Sequence, residues 1–377
     1  MNLDDHRLYL SDLTRTSLFR RAINAVVKPG DVVLDLACGT GVLGLLAMKA
    51  GAARVYQVDQ SPMIQIARDL ACANGYGQNT FAIHERSSRA NLPEKIDLII
   101  ADQLSAFGIG AGMPNLFNDA RRRLLKPGAR AIPRRIELFV VPVNFPEMWR
   151  VASFWDQPRA GLKMSAARKA AFNNHYTSEK RPRRMLSRPA QIFAFDLTGI
   201  APERFSAKAA IEVSMPGVMH GFSGWFAAEL APRVIVTNSP FSKSRIQRSA
   251  AFFPVEKPLP LSEGDRMDIT ISSITAQNLL GWKVVVFDTK GREKARYVHS
   301  TLNGMSFSPD QLAKTRPDFV PRLSDWGLAR RSIVNLADGT RTLAEIEKEL
   351  FRVHSALFPS FAEASAYVTR VLLLEAQ

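Results

Sequence analysis

Cysteine is almost missing from this chain. Cys38 and Cys72 are the only two in 377 residues, too few for a disulfide framework or a cysteine-rich zinc site. No metal is therefore expected, and both thiols read as reduced in a cytoplasmic protein. Long apolar runs are also lacking. None approaches the ~20 residues that would span a bilayer, and no basic-then-apolar leader opens the chain. Acidic charge is outweighed, with 35 Asp+Glu against 50 Lys+Arg and a net charge of +15. That surplus favours an acidic partner, although an arginine-rich composition alone would produce it. No zinc-finger spacing or RNA-binding aromatic motif accompanies it, so nucleic acid is not the expected partner. Apolar content is not short: at 46 % it is ordinary for a globular protein, and a chain of this length has core enough for two or three domains.

The richest local signal is LDLACGTGVLG, residues 34–44. Gly39, Gly41 and Gly44 form a G-x-G-x-x-G pattern between an apolar run and a helix-like segment, and such a strand–turn–helix lets a ligand lie against backbone and a helix N-terminus. Asp35 ends the strand four residues before Gly39. A carboxylate there would repel a pyrophosphate but suits an ammonium or sulfonium, as in S-adenosylmethionine. A second strand, in VYQVDQS, ends at Asp59, where an acid would accept hydrogen bonds from both ribose hydroxyls. A dinucleotide, or a plain βαβ crossover with a helix-capping Asp, remains open at this stage.

Residues 1–142 alternate candidate strands (Val32–Asp35, Arg54–Val58, Thr80–His84, Ile96–Ala101, Ile136–Val141) with candidate helices (Thr14–Val27, Gly41–Ala50, Met63–Asn74, Pro114–Leu125). The alternation predicts an α/β, doubly wound, Rossmann-like sheet, with LLKPGARAIP (124–133) read as a turn. Residues 143–305 have another texture. A polar helical arm at 154–188 carries nine basic residues against Asp156 and Glu179. Short alternating segments follow, such as QIFAFDL, SGWFAAEL and RMDITISSI, and predict a β barrel or sandwich. The tail, 306–377, reads as a small helical or winged-helix appendage. In it Thr342 and Glu345 have capping-box spacing.

This order of parts resembles the protein arginine methyltransferases from residue 6 to about 300. HRLYLSDLTRTSLFRRAI is similar to that family's opening helix, LDLACGTGVLG to its cofactor loop, VYQVDQS to its ribose strand, and FFPVEKPLPLSEGDRMDITI to part of its barrel. The resemblance implies a Rossmann-like methyltransferase sheet followed by a β barrel with a helical arm, and S-adenosyl-L-methionine as cofactor. Arg15 would hold its carboxylate, with Asp35, Gly39, Thr40, Gly41, Asp59, Gln60, Ser87 and Ser88 as the remaining contacts. It also implies a homodimer clasped through 154–188, with Phe154, Trp155, Phe172 and Tyr176 as apolar contacts. The tail resembles small winged-helix domains that recognise leader peptides; the alternative is a cap on the barrel, with Leu350, Val368 and Leu372 as its core.

The departures from the family bear on the acceptor. Its loop after the fourth strand carries two glutamates nine residues apart that grip the substrate arginine. Arginine stays protonated, and its fork of donors is matched by carboxylates. Here the loop reads ADQLSAFGIGAGMPN, with Asp102 and Ala111 at those places. The family's Thr-His-Trp loop is replaced by a stretch containing Arg245, Ile246 and Gln247. Asp102 is the candidate base, Gln103 a candidate to orient an acceptor, and His220 a third catalytic candidate. The expected activity is methyl transfer to a peptide or protein group other than ordinary arginine, such as a carboxylate, amide or neutral nitrogen, on a substrate that can include an acidic segment. A non-catalytic scaffold and a small-metabolite methyltransferase are the alternatives.

Overall fold

The computed structural model describes residues 3–305, 314 and 318–375. Two compact units divide at Ser306. In the first, strands β1 (Val32–Leu36), β2 (Arg54–Asp59), β3 (Thr80–His84), β4 (Ile96–Ile100) and β5 (Leu125–Ile132) form one parallel sheet in the order β3-β2-β1-β4-β5. β1 lies between neighbours and under helices, so all five of its residues are buried. This is why it reads as an unbroken apolar run with one acid. The strand order reverses between β1 and β4, the place where open α/β sheets bind ligands. Helices α1 (Leu3–Ser11), α2 (Leu13–Val26), α3 (Val42–Lys49), α4 (Met63–Ala73) and α5 (Met113–Arg123) complete this half.

Two elements differ from the sequence expectation. LLKPGARAIP is not simply a turn but contains β5, with its register against β4 shifted between Ile96 and Leu98. Pro127 and Gly128 lie in the stretch that this shift bypasses, and Arg130–Ile132 then pairs with Leu98–Ile100. The segment Ile136–Val141 does not join the parallel sheet. It lies in β6 (Arg135–Asn144), which pairs antiparallel with the long strand Gly217–Ala231 and with Ala190–Asp196.

β6 and Gly217–Ala231 belong to a seven-stranded antiparallel sheet, and a four-stranded sheet of Arg204–Glu212, Arg266–Ile274, Leu279–Phe287 and Glu293–Ser300 completes the β region. Both sheets and the parallel half share one apolar core. The strand Glu293–Ser300 was not visible in the sequence because its charged residues obscure the alternation. The arm is shorter than predicted. Tyr176–Ser178 and Arg184–Met185 are strands of the large sheet, which leaves the short helices between Ser153 and Phe172 as its irregular part. Phe172 is fully buried, 6.0 Å from the Trp149 ring, and is therefore not a free interface contact; Phe154 is exposed.

The second unit is helical among its described residues: Asp325–Leu336, Leu343–Val353 and Phe361–Glu375. Residues 306–313 and 315–317 of the predicted tail lie outside the described residues. Thr342 and Glu345 form the capping box, each side chain bonded to the other's backbone N–H. Leu350 and Val368 form the unit's own core with Ile333, Ile346, Phe358 and Val371, and Leu372 packs against it. Leu350→Ala should destabilise this unit by about 2–5 kcal/mol. The thermal transition of the tail should fall while that of residues 1–306 stays in place; calorimetry of the full chain checks it.

Candidate active site

The turn after β1 is shaped by what lies on it. Gly39 has φ +56°, and a Cβ there would stand 2.3 Å from the ring of His6. The buried His6 of α1 thus lies directly over the glycine turn. At Gly44 a Cβ would press on Val55 and on Asp35 Oδ2. Its absence lets the Gly44 N–H donate to that oxygen at 2.7 Å. Asp35 is buried, and loss of hydration pushes its carboxyl up to about 7, with nearby Asp59 adding repulsion. Asp59 accepts from the Gly39 N–H at 2.8 Å, and from the Ser61 N–H and hydroxyl.

A cavity of about 160 Å³ lies over the ends of β1 and β4. His6, Arg15, Asp35, Gly39, Thr40, Asp102 and Gln103 are among the residues lining it. Gln103 approaches the Ala37 carbonyl at 3.5 Å. A second cavity of about 640 Å³ shares Tyr9, Arg15, Leu104 and Ser105 and continues to residues 245–249 of the barrel.

Asp102 is where these parts meet. Arg15 Nε donates to Oδ2 at 2.5 Å, and Arg248 donates from Nη1 to Oδ1 at 3.1 Å and from Nη2 to Oδ2 at 3.4 Å. Side-chain exposures of 6 % for Asp102, 11 % for Arg15 and 13 % for Arg248 make this a buried triad. Burial alone would raise the Asp102 carboxyl. The two guanidinium groups outweigh it and hold the group at about 2. The Tyr9 ring lies against both guanidiniums, 5.6 Å from Arg15 and 5.5 Å from Arg248. Asp12 caps α2 by accepting from the Arg15 N–H, and its other oxygen accepts from the Gln247 N–H at 2.6 Å.

Asn238 secures the two loops that carry the triad. It is fully buried, donates to the carbonyls of Ala106 and Ser249, and accepts from the Phe226 N–H. The glycines after β4 follow from packing. Gly108 adopts φ +81° against Phe226 and Leu138, while Phe107 meets Phe253 edge-on at 5.1 Å.

Sequence models of known families divide the chain at the same place as the folds. Residues 13–132 match the family described as ribosomal protein L11 methyltransferase (PrmA), and residues 134–280 match the arginine methyltransferase oligomerization subdomain. Both matches are to methyltransferases, and the second is to a subdomain of the arginine methyltransferases. Among curated proteins, it is similar to a probable protein arginine N-methyltransferase 6 of Arabidopsis thaliana, 29 % identical over 236 residues covering 60 % of this chain and 54 % of that protein. It is also similar to an arginine N(omega)-methyltransferase of Streptomyces achromogenes subsp. streptozoticus, 24 % identical with 71 % and 75 % covered. The chain thus spans little more than half the length of the plant relatives it matches. Its fold is that of the Trypanosoma brucei PRMT1 enzyme–prozyme complex (TM-score 0.71, 23 % identity, 79 % of this chain and 98 % of that one). It is also that of Arabidopsis thaliana protein arginine methyltransferase 10 (TM-score 0.68, 20 % identity, 80 % and 98 %).

Within this arginine methyltransferase fold the predicted residues separate into two groups. Arg15, Asp35, Gly39, Thr40, Asp102 and Gln103 line one cavity. Gly41 is the cap residue before α3, and its carbonyl accepts from Gln57. Gln60 and Ser88 are exposed, and Ser87 lends its carbonyl to Arg123; these three, like Gly41 and Asp59, do not line that cavity. His220 is a correction. Its Nδ1 lies 3.3 Å from the Phe145 N–H and 3.1 Å from the Val218 carbonyl, and its ring is edge-on to Trp149. It lines neither cavity, and burial lowers its pKa, so it packs between the sheet and the helix Pro146–Ala152. Arg248, Asn238 and His6 were missed. No local signal ties Arg248 to Asp102, which lies 146 positions away.

Asp102→Ala leaves two buried guanidiniums unpaired and should cost about 3–5 kcal/mol. The depressed carboxyl stabilises the fold fully above its unfolded pKa of roughly 4, and that contribution is lost as pH falls toward about 2. Denaturant unfolding should therefore show a steeper stability loss between these values in wild type than in Asp102→Asn.

Proposed function

We propose that this chain is an S-adenosylmethionine-dependent methyltransferase acting on a peptide or protein group other than ordinary arginine. The observation that carries the reading is the meeting of Arg15, Asp35, the glycine turn and Asp102 around one cavity where the strand order reverses. These residues fit the cofactor. Arg15 offers a cation to its carboxylate. Asp35 is a buried carboxyl with a single backbone donor, and an ammonium would favour its charged form. The close approach of His6 at Gly39 leaves the turn's backbone as a tight cradle. Asp59, bonded to the turn through the Gly39 N–H, would supply the acceptor for the ribose; Gln60, Ser87 and Ser88 would serve the adenine only if it extends beyond the cavity, which they do not line. When bound, the cofactor supplies a methyl group on a sulfonium, transferred by in-line displacement.

The chain's own contribution is mainly positioning. Asp102 borders the cavity, but its depressed pKa makes it a poor general base near neutrality. Held by Arg15 and Arg248, it acts as a fixed negative charge. Gln103 is left to orient the acceptor, which enters through the second cavity. Both oxygens of Asp102 are already taken, so a guanidinium acceptor would lack the two-carboxylate grip that its fork requires. A small-molecule acceptor is a second reading. We further propose a cytoplasmic homodimer associated through the arm, where Phe154 and Leu162 are exposed, and recognition of an acidic peptide segment by the tail.

Cofactor affinity should depend on Asp35. The folded protein holds this proton up to about 7, and pairing with a cation requires its loss. Affinity should rise with pH, by at most about tenfold per unit, and level off above 7. Asp35→Asn should bind weakly and with a flat profile. Calorimetry with S-adenosylmethionine checks both, and tighter binding of NAD would contradict the assignment. Light scattering should give twice the chain mass, and an arm variant with Phe154 and Leu162 replaced by Ser should be monomeric.

A further inference from the structure

Asp102 is a buried carboxylate of the first cavity, and its partner Arg248 lines the second; a positively charged acceptor passing from the second cavity to the first would meet this carboxylate. Arg248 already does. Its Nη1 and Nη2 meet both carboxylate oxygens, the paired geometry in which guanidinium and carboxylate associate most tightly. An incoming guanidinium would have to expel this side chain and leave it buried without a counter-charge.

The same side chain lines the second cavity together with Arg245. Arg245 has no carboxylate within ion-pair distance among the described residues; its Nη2 donates to the Glu179 backbone carbonyl at 3.5 Å. The acids on this cavity are poor competitors for the two arginines. Asp12 spends its oxygens on the backbone N–H groups of Arg15 and Gln247. Asp5 is already engaged. The Glu179 side chain is exposed to solvent, where screening weakens it.

We propose that Arg248 is the specificity-determining residue of this site: it fills with its own guanidinium the seat an acceptor arginine would need, and with Arg245 it presents the second cavity to an acceptor carboxylate. This rests on the cofactor reading above. A carboxylate oxygen forms the new bond to the methyl carbon, and the carbon–sulfur bond breaks with its electron pair remaining on sulfur. The sulfonium becomes a neutral thioether and the acceptor a methyl ester. No proton moves, which matches a site whose carboxylate is too weak a base to take one.

The test uses the full chain, methyl-labelled S-adenosylmethionine and three synthetic peptide pools: Asp/Glu-containing with amidated C-termini, neutral with free C-termini, and Arg-containing with amidated C-termini. Esters release their label as methanol in alkali, and methylarginine retains it. Wild type should label one or both carboxylate pools in alkali-labile form, the first two pools separating side-chain from terminal carboxylates, and should leave the arginine pool unlabelled. Arg248→Gln should lose transfer on the order of 100-fold, the scale for removing one partner of a buried charge pair. Arg248→Lys keeps the charge without the fork and should lose less; it decides the matter if the Gln variant does not fold. Alkali-stable label on the arginine pool would overturn the proposal. So would wild-type rates in either folded variant, or a wild type that binds cofactor and labels no pool. A wild type that fails to bind S-adenosylmethionine in calorimetry removes the cofactor reading itself, and this inference with it.

Discussion

One carboxylate between two guanidiniums joins the three segments that make the site. Arg15 comes from α2, Asp102 from the loop after β4 and Arg248 from the barrel. Removing either kind of charge alone would leave the other buried and unpaired, a large cost in a medium of low polarity. The triad therefore fixes the position of the opening helices relative to both cavities. Tyr9 lies against both arginines, so α1 is held as well, and with it His6 over the glycine turn.

The fixed triad changes how the surrounding chemistry is divided. Asp35 and Asp102 are both buried carboxyls on one cavity, yet their environments push them apart, to about 7 and about 2. Desolvation dominates at Asp35, where the backbone supplies a single donor. Ion pairing dominates at Asp102. Asp35 therefore gains most from an arriving cation, while Asp102 already has its cations. In the proposed reaction the first meets the cofactor and the second holds the acceptor side in shape.

Much of this was legible in the sequence where the signal is local. The strand–glycine–helix pattern at residues 34–44 requires Gly39 for clearance and Asp35 for the charge, and both are visible as residue types. The resemblance to arginine methyltransferases also located Arg15 and the barrel. Signals that depend on distant partners were not legible. Pro127 and Gly128 looked like a turn because a bulged strand and a turn use the same residues. Ile136–Val141 has a buried strand's composition, and its sheet is set by pairing partners the sequence does not name. His220 looked catalytic by residue type, whereas its neighbours give it a packing role. Arg248 matters through a contact spanning 146 positions, which no spacing rule reports.

In the proposed complex the amino-acid end of the cofactor lies between Arg15 and Asp35 while Arg248 stays on Asp102. A crystal structure with S-adenosylhomocysteine tests it directly. The predicted result is product in the cavity over β1 and β4, its carboxylate toward Arg15 and its ammonium toward Asp35, with the Arg248–Asp102 pair intact. Product bound elsewhere, or Arg248 swung away to leave Asp102 open to the second cavity, would contradict it.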